Sequence, residues 1–69
     1  MRANRLNSIL LAEFHVKWSR DAQGLRFGQF IMNNTSFSIP VVHDVDIWNE
    51  RDSSKVLEAL RKYLLDIQA

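Results

Sequence analysis

Leu25-Arg26-Phe27-Gly28-Gln29-Phe30-Ile31 decides how this chain is read. Two large aromatics, a glycine and two long polar side chains fall within two helical turns. Read as a short helix, the stretch crosses a neighbour closely at Gly28. Arg26 and Gln29, three positions apart, then share a face turned to something outside. Glycine in a helix interior costs ~1 kcal/mol against alanine. The expected offset is that the missing side chain lets another backbone approach. The helix is expected to run from Gly24 or Leu25 to Asn33. Asn33 and Asn34 are expected to end it, since asparagine tolerates the left-handed conformation.

On the N-terminal side, residues 5–19 read as a first helix. Leu6, Ile9, Leu10, Phe14 and Trp18 recur at three- and four-residue steps, while Leu11 and Val16 lie off that stripe. Asn4 is placed to cap its start. Residues 19–24 form a connector in which Gly24 supplies backbone freedom and Asp21 folds back on nearby amides.

On the C-terminal side, Thr35-Ser36-Phe37-Ser38-Ile39 alternates polar with apolar until Pro40 interrupts it. A strand here is confined to an edge. Val41-Val42-His43 is β-prone, and Asp44-Val45-Asp46-Ile47-Trp48 continues the alternation with Val45 and Ile47 on one side. The segment reads as one or two short extended pieces or as a packed loop. A last helix follows, capped by Asp52, Ser53 or Ser54, with Glu58 expected to close a capping box from about Ser54. Val56, Leu57, Leu60, Leu64 and Ile67 form its buried face with Tyr63 at the edge, and Glu58 and Lys62 make an i,i+4 pair. The expected fold is mainly α: one small three-helix domain over residues 1–69, with an irregular or short β-like segment before the last helix.

With 69 residues and 46% hydrophobic side chains, the chain supports one small core, worth ~3–5 kcal/mol. It has no cysteine, so disulfides and thiolate metal sites are excluded. The net charge of +1 is not that of a strongly basic nucleic-acid binder. Charge is nevertheless uneven. Residues 1–43 carry five cations against two carboxylates, and residues 44–52 carry four carboxylates against Arg51. Either the fold brings these poles together as weak surface pairs, or the acidic stretch is offered to a basic partner. No run of residues is apolar and long enough to span a membrane. The basic start at Arg2 and Arg5 is followed by no signal-peptide pattern, so a cytoplasmic chain is expected.

Trp18, the stretch from Leu25 to Ile31, Asn33, Asp46, Trp48 and Asp52 together resemble a family of short helical proteins of bacterial and phage genomes. That family shows a helix with a tryptophan, an L-R-F/L-G-Q-L/F-I-x-N stretch, then D-x-F/W, an acidic position and a closing helix. YihD-type proteins are similar more distantly, in Arg5-Leu6-Asn7 and the Gln29-Phe30 pair. Residues 35–45 lie outside the resemblance. The usual proline before Leu25 is replaced by Ala22-Gln23-Gly24, which implies a looser start to helix two. The resemblance implies a small helical accessory protein of phage or prophage origin and brings no catalytic residue with it.

Chemistry-bearing patterns are few. His15 and His43 lie in no nucleophile-base arrangement. Two glycines cannot build a Walker or dinucleotide loop. Asp44 and Asp46 would share a face of an extended segment and could reach one cation, but His43 would point away and no third ligand is fixed by spacing. No metal, cofactor or catalytic residue is therefore expected. A helix-turn-helix would make residues 25–33 the reader, with Arg26, Gln29, Asn33 and Asn34 as base-contacting types. Against it stand the short element, its apolar side chains and the weak net charge.

Two tryptophans and four phenylalanines exceed what so small a core easily hides, and Trp48 sits among Asp46, Asn49 and Glu50 like an interface anchor with a polar rim. The reading favoured is a non-enzymatic protein-binding module. In its sharpest form it is a phage-type inhibitor or modulator docking on a host defence or transcription protein through Arg26, Gln29, Asn33, Asp46, Trp48 and Glu50. The alternatives are a small DNA-binding regulator of helix-turn-helix type and a homo-oligomeric accessory protein. No membrane partner is expected.

Overall fold

The computed structural model describes residues 5–68. Three helices, α1 (Ser8–Asp21), α2 (Phe27–Asn34) and α3 (Ser53–Gln68), enclose one core, and a two-stranded antiparallel hairpin of β1 (Val41–Val42) and β2 (Val45–Asp46) precedes α3. The fold is mainly α, with the short β segment where the alternation of residues 35–48 points. α3 is the central element and packs on α1, α2 and both strands.

Asn7 starts α1, its Oδ1 accepting the Leu10 N–H at 2.8 Å; the expected cap Asn4 lies outside the described residues. Burial on α1 differs from the expected stripe. Leu11 is the side chain fully inside, and Ile9 is 73% exposed. The reason is aromatic. Phe14 meets Phe30 edge-to-face at 5.7 Å, and His15 and Trp18 meet Phe27 at 5.0 and 5.5 Å. Leu11 stands in line with these residues at helical steps, and Ile9 does not. His15, read from sequence as lacking catalytic partners, is a half-buried packing residue of this interface.

α1 ends without the expected Asp21 fold-back. The Ala22 N–H donates to the Trp18 carbonyl, and the Gln23 amide donates to the Ser19 carbonyl. Gly24 takes no positive φ, so the connector turns without using glycine's extra freedom. The Trp18 indole N–H donates to the Leu25 carbonyl at 2.7 Å and ties the connector down.

α2 begins later than expected, with Arg26 as its N-cap in extended conformation. It buries Phe27, Gly28 and Ile31. A Cβ on Gly28 would lie 1.6 Å from the Ile47 carbonyl oxygen, so the expected close backbone crossing is present, and its partner is Ile47. α2 does not end on a left-handed asparagine. Thr35, extended and wholly buried, donates through Oγ1 to the Ile31 carbonyl at 2.9 Å and accepts the Phe37 N–H.

The left-handed residues lie in the hairpin turn instead. His43 and Asp44 have φ of 49° and 64°, the pair of positive values a two-residue type I′ turn requires. Val42 faces Val45 across the ladder, and the Ile47 N–H extends it by donating to the Pro40 carbonyl. Val42 and Ile47 enter the core while Val41 stays exposed.

Asp52 caps α3. Its Oδ1 accepts both the N–H and the hydroxyl of Ser54. The capping box expected from Glu58 does not form, because with Asp52 as cap the position that would close it is Lys55; Glu58 instead lies 4.0 Å from Lys62. Val56, Ala59, Leu60 and Leu64 fill the core, while Ile67, expected inside, is 56% exposed. No helix of the described residues is long and apolar enough to cross a membrane.

Candidate functional site

Gly28 and Ile47 build the site by their contact. Because the α2 backbone presses on the carbonyl of Ile47, the first turn of α2 lies against the turn that follows β2. In that turn the Glu50 N–H donates to the Asp46 carbonyl, and Asp46 accepts the Asn49 N–H and side-chain amide through Oδ1 and Oδ2 at 3.2 and 3.0 Å. Trp48 emerges from this turn 41% exposed. Arg51, just beyond, joins Arg26, Gln29, Trp18 and Leu25 around one open depression of ≈ 470 Å³.

The six residues singled out from sequence separate into three groups. Arg26 and Gln29, both half-buried, line the depression together. Asp46 and Glu50 are engaged within their own turn, Glu50 accepting the Asp52 N–H through Oε2 at 3.1 Å. Hydrogen bonds from the Asn49 side chain, then from its backbone, hold the Asp46 carboxyl below its usual range. Asn33 is exposed on α2 and does not line the depression. Trp48 is exposed and does not line the depression.

Arg51 was missed by sequence reasoning. Its only signal was being the lone cation of an acidic stretch. The two carboxylates flanking it in sequence are engaged within their own turn: Glu50 accepts the Asp52 N–H, and Asp52 accepts the Ser54 N–H and hydroxyl. Among the described residues no carboxylate pairs with Arg51 or Arg26. The opposite charge poles of the chain therefore do not neutralise one another here.

The surplus of aromatics also resolves. Phe27 and Phe37 are buried, and Phe14, Trp18 and Phe30 are half-buried in the α1–α2 interface. Trp48 alone among the tryptophans and phenylalanines is left exposed. The paired-aspartate reading of residues 43–46 fails on geometry, because Asp44 sits in the left-handed turn while Asp46 caps the next one. Among the described residues no group of three or more potential ligands is placed to hold a metal, and no buried side-chain nitrogen or oxygen lacks a partner.

The chain matches no protein-family model, no curated protein and no solved structure.

Proposed function

We propose that this chain is a non-enzymatic protein-binding module that docks through the first turn of α2 and the turn joining β2 to α3. One observation carries the reading: every other tryptophan and phenylalanine is buried or half-buried, and Trp48 is 41% exposed. Tryptophan and arginine are the residue types enriched at interface hot spots. The depression at the start of α2 adds polar recognition at Arg26 and Gln29. In its sharpest form the module inhibits or modulates a host defence or transcription protein, the context the resemblance to phage proteins implies.

Affinity capture from host lysate with the parent chain, Trp48→Ala and Arg26→Ala tests this. The parent is expected to retain a partner and both variants to lose it, with helical circular dichroism unchanged. Capture undiminished in both variants would show that the docking face lies elsewhere.

A second reading, self-association, is favoured by exposed aliphatics, among them Ile9, Val16, Leu65 and Ile67. Sedimentation of the purified chain separates the two: a monomer at micromolar concentration removes the homo-oligomer. A DNA-reading role for α2 draws less support, since its eight residues bury Phe27, Gly28 and Ile31 and its Asn34 amide donates back to the Phe30 carbonyl.

A further inference from the structure

We infer that the depression between the end of α1, the start of α2 and Arg51 receives an acidic segment of the partner protein, with Arg26 and Arg51 engaging its carboxylates; the inference rests on the protein-binding reading and names the chemistry of the partner. Two arginines line one concavity, and no acidic residue lies among its lining residues. The nearest acids in sequence to Arg51 are engaged within their own turn. Glu50 and Asp52, next to Arg51 in sequence, are held by the amides of their own turn, and Asp46 is held by Asn49. Like charges gathered around a concave surface raise the local potential and favour an anion there. Arginine forks match the two oxygens of a carboxylate, and such charge-assisted bonds are stronger than neutral ones.

The surroundings suit a peptide better than a bare ion. Trp18 and Leu25 supply apolar surface, Leu25 being 42% exposed. The Trp18 indole N–H is already given to the Leu25 carbonyl, so its ring contributes contact area without an unmet donor. Gln29 adds an amide that can pair with a peptide backbone. Half-burial of Arg26 limits its screening by solvent and salt, which favours discrimination by charge.

The test titrates the full chain, at low salt, with a capped hexaglutamate peptide and, separately, with a six-nucleotide oligothymidylate. Proton–nitrogen spectra follow the arginine Nε–H groups, the Trp18 indole and the backbone amides. Hexaglutamate is expected to shift Arg26, Arg51, Leu25 and Gln29 saturably. Arg26→Gln and Arg51→Gln should each weaken binding about 10-fold, Arg26→Lys should restore only part of it, and Arg61→Gln on the exposed side of α3 should stay within about 2-fold of the parent. Three results would overturn the proposal: no saturable shift, shifts centred elsewhere, or equal losses in Arg61→Gln and the two site variants. Tighter binding of oligothymidylate at the same residues would replace it with a phosphate-backbone site. Self-association abolished by Arg26→Gln would replace it with a second copy of this chain. If hexaglutamate fails while Trp48→Ala still abolishes capture, the acidic-segment inference falls and the protein-binding reading stands. The converse pattern removes that reading and leaves an acidic-peptide site.

Discussion

Gly28 has no side chain, and the carbonyl of Ile47 occupies the space a side chain would need. Helix propensity favours alanine at such a position by ~1 kcal/mol, and the steric term opposes it. A backbone oxygen cannot swing aside as a flexible side chain can, so α2 or the β2–α3 connection would have to move. Gly28→Ala is therefore expected to cost ~3 kcal/mol or more, most of the ~3–5 kcal/mol a domain of this size holds. Gly24, whose Cβ would meet nothing within 4 Å, is the internal control. In thermal melts Gly24→Ala should match the parent or exceed it, while Gly28→Ala should lose its cooperative transition near room temperature. A Gly28→Ala variant melting within a few degrees of the parent would mean that the crossing is loose.

The β1–β2 hairpin turns on two residues poorly suited to it. Type I′ turns favour Asn-Gly because both central residues need positive φ; here His43 and Asp44 carry that conformation. The His43–Asp66 pair, 3.5 Å apart with both side chains substantially exposed, returns little for the strain, since exposed pairs contribute ~0–1 kcal/mol. Replacing the two with Asn and Gly should stabilise the protein by ~1 kcal/mol, raising the melting temperature by ~4–8 °C. A double variant melting at or below the parent would show that the native turn residues contribute more than the strain they bear. The helices illustrate a different point. The order and number of helices follow from three-to-four-residue spacing and were legible in advance, as was most of the buried face of α3. The phase of α1 was not. Ile9 and Leu11 are both apolar, and only the docking of Phe14, His15 and Trp18 on α2 selects Leu11 for the core.

Across the molecule, two capping carboxyls link the fold to pH. Asp46 and Asp52 cap consecutive turns, and each has its carboxyl held below its ordinary value, Asp46 chiefly by the Asn49 side chain and Asp52 chiefly by the Ser54 side chain. A carboxyl whose folded pKa is depressed stabilises the fold above its unfolded pKa, here about 3.8, and that contribution is lost as pH falls through the lower folded value. Melting temperature should thus be insensitive to these groups near neutrality and fall below about pH 4. Asp46→Asn with Asp52→Asn removes both titrations, at the cost of one of the two Asp46 oxygens that accept from Asn49, and should lower stability near neutrality while flattening that acid decline. An identical decline in the double variant would assign acid sensitivity to other carboxylates. The candidate site also belongs to the whole molecule. Arg26 and Gln29 were legible as a pair from their spacing, whereas Arg51 enters only because α2 and the β2–α3 turn meet.

Local rules, spacing of apolar residues, cap chemistry and the exceptional glycine, determined from sequence alone that the chain forms three helices with an irregular or short β-like segment before the last, and that α2 crosses a neighbour closely. These depend on residues within a turn or two of one another, where the geometry is the same in any fold. Only the tertiary structure decided that Ile47 is the crossing partner, that Leu11 is buried in preference to Ile9, and that Arg26, Gln29 and Arg51 share a concavity. Each of those outcomes is set by which distant surfaces bury together, a choice made by packing the entire core at once.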